Sequence, residues 1–351
     1  MASKKLQNAT VSRKKEHIEI SLKHDVQFKQ KKTGFDDVEL EYLALPELDF
    51  KEVQTSTKFL GHNFAFPLFA SSITGGHSDV KRINEDIAKA CSNAGIGMAL
   101  GSIRAMLEDK KVADSYKVRR HIPKGFLAAN IGATQLKDYS VQQLEKAMEE
   151  LQADALFIHL NAAQEALQKE GTPNFKNCIS RISQFCKEFS KPVILKEVGN
   201  GISLTTAEML SSVDFDALDV AGAGGTSWTA IDSLRGNKDI AETFWDFGTP
   251  TVVSIVQSRM VFDSLPLIAS GGIRSGMDVA KALTLGADLC GTAMPVLQAQ
   301  HRNSVKGVEE LLEKFRKEFR IGMFLTGAKS PEELKGRKYY LFGKTLDWVE
   351  Q

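Results

Sequence analysis

Two stretches of the chain carry most of the residue types that can do chemistry. The first is Ala269-Ser270-Gly271-Gly272-Ile273-Arg274-Ser275-Gly276-Met277-Asp278. It follows the apolar run Pro266-Leu267-Ile268-Ala269, which reads as a buried strand. Two adjacent glycines allow a tight turn and a close approach of backbone to a ligand. Ser275 followed three residues later by Asp278 is a capping-box pattern, so a helix starts there. Gly286 stops that helix, and a second strand, 287–292, ends in Gly291-Thr292-Ala293. Strand, Gly-Gly turn, helix and strand ending in Gly-Thr-Ala form a phosphate cradle, with free N–H groups aimed at an anion. A close helix–strand crossing without a ligand is the alternative, and two neighbouring turns that both end in Gly favour the anion.

The second stretch is His159-Leu160-Asn161-Ala162-Ala163-Gln164-Glu165. Period two puts Phe157, His159 and Asn161 on one face of a strand, so with Phe157 inside, the two polar residues face a pocket mouth. A neutral Gln164 beside an acidic Glu165 permits proton traffic plus one ligand to a hard cation. Lys196 closes the apolar run Pro192-Val193-Ile194-Leu195. A lysine there needs an anionic partner, and the ring nitrogen and carbonyl of a reduced flavin would serve.

These residues need a scaffold that delivers them to one place. Short apolar runs at 66–71, 96–100, 126–129, 155–158, 192–195, 217–220, 266–269 and 287–292 alternate with helical patterns. Val80, Ile83, Ile87, Cys91 and Ala94 have helical spacing, Ser140 with Gln143 opens a helix, and Thr205 with Glu208 offers another capping box. Eight strand–helix alternations predict an α/β fold, a (β/α)8 TIM barrel over residues 61–351 with an N-terminal arm over residues 1–60. The polar residues fall at the C-terminal ends of the strands, the face on which barrels build their sites. The mixed segment 17–60 is expected to flank or plug the barrel bottom. The connection 227–249, with Trp228, Phe244, Trp245 and Phe247, is expected to be a lid or a subunit contact, and 305–319 an amphipathic helix followed by an appended strand or loop.

The 351 residues are 42% hydrophobic and 25% charged, with a formal net charge of +1. That balance describes a globular protein and offers no basic field for nucleic acid. No apolar run has membrane-spanning length, and the basic start, residues 1–15, reads as a solvated tail. Cys91, Cys178, Cys186 and Cys290 lack metal or redox-pair spacing and read as reduced thiols, which places the protein in the cytoplasm.

The strand-four stretch, Lys196-Glu197-Val198-Gly199-Asn200-Gly201, the run from Asp219 to Trp228 and Gly271-Gly272-Ile273-Arg274 together resemble the type 2 isopentenyl diphosphate isomerases. Ile73-Thr74-Gly75-Gly76 and the Arg13-Lys14 arm fit as well, so the resemblance spans about residues 10 to 300. It implies FMN, Mg2+ and interconversion of isopentenyl and dimethylallyl diphosphate. NADPH would only reduce the flavin, and a homo-oligomer, tetramer or larger, is expected. FMN would contact Ser72, Ile73, Thr74, Ser102, Asn130, Lys196, Thr226, Gly272, Ile273, Arg274, Ala293 and Met294. Substrate would contact Arg13, Lys14, Arg104, His159, Asn161 and Gln164, with Glu165 on the metal, and Gln164 and Lys196 would be catalytic. Val198, where a serine can occur, and Ile103, where Gln or Met is frequent, depart from the family pattern. An FMN oxidoreductase acting on a hydroxy acid or a nucleotide is the alternative. Against it, 222–228 holds no Cys nucleophile and 270–276 no His base.

Overall fold

The computed structural model describes residues 16–351 apart from 74, 77, 169–170 and 236–237. Eight parallel strands close into one barrel: β1 (Leu68–Ala70), β2 (Gly97–Ala99), β3 (Leu127–Gly132), β4 (Ala155–His159), β5 (Val193–Lys196), β6 (Ala217–Asp219), β7 (Leu267–Ser270) and β8 (Leu289–Thr292). The runs are mostly apolar because every strand is buried on both faces, by the barrel interior and by the outer helices, and their polar residues come at or near the C-terminal ends. Phe157 does point inward, where it stacks on Phe69 with ring centroids 5.9 Å apart. It is fully buried, and truncating such a residue costs about 3–5 kcal/mol.

The register matters more for function than the strand bounds. His159 on β4 pairs with Lys196 on β5, and Lys196 pairs with Asp219 on β6. In-register residues of parallel neighbours point the same way, so these three form one row at the mouth of the barrel.

The segment 17–60 divides between the two ends of the barrel, which corrects the expectation that it sits at the bottom. The hairpin Thr57–Phe59/His62–Phe64 does lie there, with Phe59 and Phe64 against Phe126 just before β3. Residues 16–33 instead cross the opposite, C-terminal face. Phe28 N–H donates to Gly225 O at 3.1 Å, and Ser227 N–H to Val26 O at 2.8 Å. Buried Ile18 and Val26 join Ile231 and Leu297 in a small apolar cluster over that face. Isolated apolar residues in a polar segment carry no periodicity that would have revealed this.

Two caps behave as the sequence predicts. Ser275 with Asp278 and Ser140 with Gln143 form reciprocal capping boxes. Thr205 does not cap its helix. Ser203 does, accepting from Thr206 N–H at 3.3 Å, and the helix is Leu204–Leu210. The helix expected at 305–319 is Met294–Leu325, broken by non-helical backbone at Asn303 and Ser304. Tyr339–Leu341 is an appended strand, antiparallel to Val38–Leu40.

Candidate active site

The residues singled out in the sequence converge. Ser72, Ile73, Ser102, Arg104, Asn130, His159, Asn161, Gln164, Glu165, Lys196, Thr226, Gly272, Ile273, Arg274, Ala293 and Met294 all line one cavity at the C-terminal ends of the strands. Its empty volume, open solvent at the mouth included, is about 1510 Å³. Arg13, Lys14 and Thr74 lie outside the described residues.

One wall is backbone. After β7 the chain turns through Gly271 and Gly272 with φ of 96° and 78°, the left-handed region that glycine occupies without strain. The loop after β6 packs directly on this turn. A Cβ on Gly225 would lie 2.4 Å from Gly272 N. Beside the turn, Arg274 has its backbone N–H held by Asp278 Oδ2 at 2.9 Å. Its Nη2 is buried, and among the described residues no acceptor reaches it. Burial lowers the guanidinium's proton affinity, with the Asp278 charge opposing. The N–H groups expected to be free at the helix start are not: Ser275 N–H goes to Asp278 Oδ2 at 2.9 Å and Gly276 N–H to Glu318 Oε2 at 2.7 Å. The desolvated cation beside the glycine turn fits an anion such as the phosphate of FMN.

The facing wall is made of side chains that bond one another. Asn130 Nδ2 donates to Ser72 Oγ at 2.7 Å, and His159 Nδ1–H donates to Asn130 Oδ1 at 2.6 Å. The six-residue helix Ala162–Leu167 carries Gln164 and Glu165. Asn161 Nδ2 donates to Gln164 Oε1 at 3.2 Å and to Glu165 Oε1 at 3.0 Å. Thr172 N–H donates to Glu165 Oε2 at 2.7 Å. Among the described residues no three His, Cys, Asp or Glu side chains gather as a metal cage. One buried carboxylate suits Mg2+ that takes its other ligands from phosphate and water. Arg104 Nε donates to Glu108 Oε1 at 2.7 Å. Burial works against its charge, and Glu108's bond and charge outweigh burial, so its pKa rises.

Between the walls stands Lys196. The anionic partner it requires is present in the protein: Asp219 Oδ2 lies 3.8 Å from its Nζ, and Nζ also donates to Glu197 O. Asp219 was read as part of the strand 217–220 and given no role, because only the register of β5 against β6 brings it to Lys196. The neighbouring Glu197 carboxylate gathers the N–H groups of Val198, Gly199 and Asn200 at 2.6, 2.8 and 2.6 Å, which shapes the loop after β5. Burial pushes its pKa up to about 7, against those three bonds and the charge of Lys196. His17, Ile18 and Trp228 also line the cavity and were not expected there. His17 reaches Asp232 Oδ1 at 3.2 Å and meets the edge of Trp228, so the N-terminal helix is tied to the helix Trp228–Leu234 across the mouth.

The closed (β/α)8 barrel and its family-model match define a class, the FMN-binding barrel enzymes. The family model of the FMN-dependent dehydrogenases matches residues 117–340. Solved structures agree on the fold. Mandelate oxidase with a difluoro hydroxy acid superposes with a TM-score of 0.64 at 17% identity, covering 97% of this chain and 99% of that one. A flavocytochrome b2 mutant with pyruvate bound gives 0.69 at 20%, covering 98% and 86%. Much nearer in sequence is the isopentenyl-diphosphate delta-isomerase of Archaeoglobus fulgidus, 42% identical over 97% of this chain and 99% of its own length. That of Halobacterium salinarum is 43% identical over 97% and 96%. The chain belongs to the isopentenyl-diphosphate delta-isomerase family.

Proposed function

We propose that the protein interconverts isopentenyl and dimethylallyl diphosphate, with FMN held across the strand ends. The carrying observation is the pairing of the two walls: a glycine turn beside the buried Arg274, whose Nη2 meets no acceptor among the described residues, facing a network of amide, imidazole and carboxylate groups. Ser72, Ser102, Asn130, Lys196, Thr226, Gly272, Ile273, Arg274, Ala293 and Met294 would hold FMN. Reduced FMN, when bound, supplies a ring position able to exchange a proton with carbon, which no side chain here offers. Arg104, His159 and Asn161 grip the diphosphate, and Arg13 and Lys14 extend that grip. Gln164 positions the proton in transit; a neutral amide is no strong base, so its work is placement. Glu165 completes the coordination of Mg2+ that arrives with the diphosphate.

A hydroxy-acid oxidation, as the names of the structural neighbours would imply, lacks support in this chain. Residues 270–276 contain no His to act as base, and the likeness to those structures is one of fold. We further infer a reduced nicotinamide as flavin reductant, a cytoplasmic setting in keeping with four free cysteines, and a homo-oligomer of at least four chains, which the exposed Ile240, Phe244 and Phe247 support. The test is anaerobic conversion of isopentenyl diphosphate with reduced FMN, with and without EDTA. Conversion that needs both reduced flavin and the divalent ion is expected. Full activity in EDTA or with oxidised flavin would sink the mechanism.

A further inference from the structure

Asp219 has no place in the reaction as set out above, yet it is wholly buried beneath the cavity floor. We propose that Asp219 is a positioning residue that anchors Lys196 and offsets its charge, and so holds the reduction potential of the bound flavin low. The proposal rests on the flavin reading of the cavity.

Burial pushes the Asp219 pKa up, and the Lys196 charge and the bonds from Ser270 and Ala221 oppose it in favour of the carboxylate. Oδ1 accepts from Ser270 Oγ at 2.6 Å and from Ala221 N–H at 3.2 Å. Ala221 supplies that N–H from a left-handed backbone, φ 35°, which an alanine adopts only when its surroundings hold it there. Oδ2 has no hydrogen-bond donor among the described residues, and the Lys196 ammonium stands 3.8 Å from it. Both side chains are almost fully shielded, 0% and 8% exposed, so their interaction is several-fold stronger than the same pair in water.

The consequence concerns charge. Lys196 alone beside the flavin would favour the negative charge that accumulates when the ring is reduced. A Lys–Asp pair of zero net charge favours it far less. A flavin that serves proton traffic needs no electron affinity, and a low potential disfavours hydride removal from the substrate.

The experiment measures the two-electron potential of bound FMN in wild type, Asp219→Asn, Lys196→Met and the double variant, at saturating FMN. Asp219→Asn is expected to shift the reduction equilibrium at least about tenfold toward reduced flavin, about 30 mV upward. In the Lys196→Met background the same substitution should shift it by much less, because without the ammonium burial favours the protonated Asp219 carboxyl and little negative charge is left to remove. An unchanged potential in Asp219→Asn, or an equal shift in both backgrounds, overturns the proposal. Should Asp219→Asn fail to fold, Ser270→Ala removes a bond that keeps the carboxylate ionised and should move the potential the same way by less. No movement there would be equally adverse. A wild type that takes up no FMN overturns the flavin reading itself, and the absent flavin spectrum tells that outcome apart.

Discussion

The two walls of the cavity solve opposite problems. The wall after β6 and β7 is backbone pressed on backbone, with Gly225 against Gly272 and Arg274 Nη2 left without an acceptor among the described residues. The wall after β3 and β4 is side chains that already satisfy one another, from Ser72 through Asn130 to His159, and from Asn161 to Gln164 and Glu165. Rigid backbone donors suit a ligand that stays. Mutually bonded side chains suit one that comes and goes, because they can exchange partners at little net cost when it arrives. The contrast divides the side-chain wall itself, since we assign its Ser72 and Asn130 to the resident FMN and its His159, Asn161, Gln164 and Glu165 to the transient substrate and its metal.

The contrast breaks most completely at Gly225. A methyl group there meets Gly272 N at 2.4 Å, and two backbones cannot both yield. Gly225→Ala should cost more than roughly 3 kcal/mol at the anion site, over a hundredfold in FMN affinity, while the strand-four network keeps its place. Equilibrium binding of FMN measures this, and near-normal affinity would mean that the glycine wall holds no phosphate.

Glu197 sharpens the comparison through pH, since its loop joins the two walls. Its carboxyl ionises near 4.5 when unfolded and, because burial outweighs its N–H bonds, near 7 when folded. A raised folded pKa means stability that is full below about 4.5 and lost as pH rises to about 7. The loss is on the order of 3 kcal/mol. Glu197→Gln has no proton to release and should lack this slope. Urea midpoints of both proteins at pH 5 and pH 8 test it, and parallel pH slopes would remove the assignment.

Gln164→Asn probes the other wall. The amide retreats by one methylene while the glycine wall is untouched, so kcat should fall roughly a hundredfold with FMN affinity unchanged. A variant with normal kcat, or one that loses FMN, would place Gln164 in the wrong role.

The barrel was legible because its signal repeats. Eight apolar runs, each ending in polar or glycine residues, leave little choice of fold, and the Ser275 and Ser140 caps are local enough to read directly. The glycine wall was legible for the same reason, since a Gly-Gly turn between strand and helix is a local event. What escaped depends on register and on distant packing. Asp219 meets Lys196 only because β5 and β6 align in a particular register, which no single strand encodes. Ile18 and Val26 reach the mouth by packing on residues more than two hundred positions away, such as Ile231 and Leu297. Ser203 took the cap from Thr205 because two candidates two residues apart are chemically equivalent and only the helix's packing chooses.

The comparison of the two walls stands on a resident flavin. Titration of the flavin-free protein with FMN, followed by visible absorption, tests that most directly. A saturable, red-shifted flavin spectrum at one FMN per chain is the predicted result. Addition that only builds up the unshifted spectrum of free FMN, with no saturable change, would contradict the account.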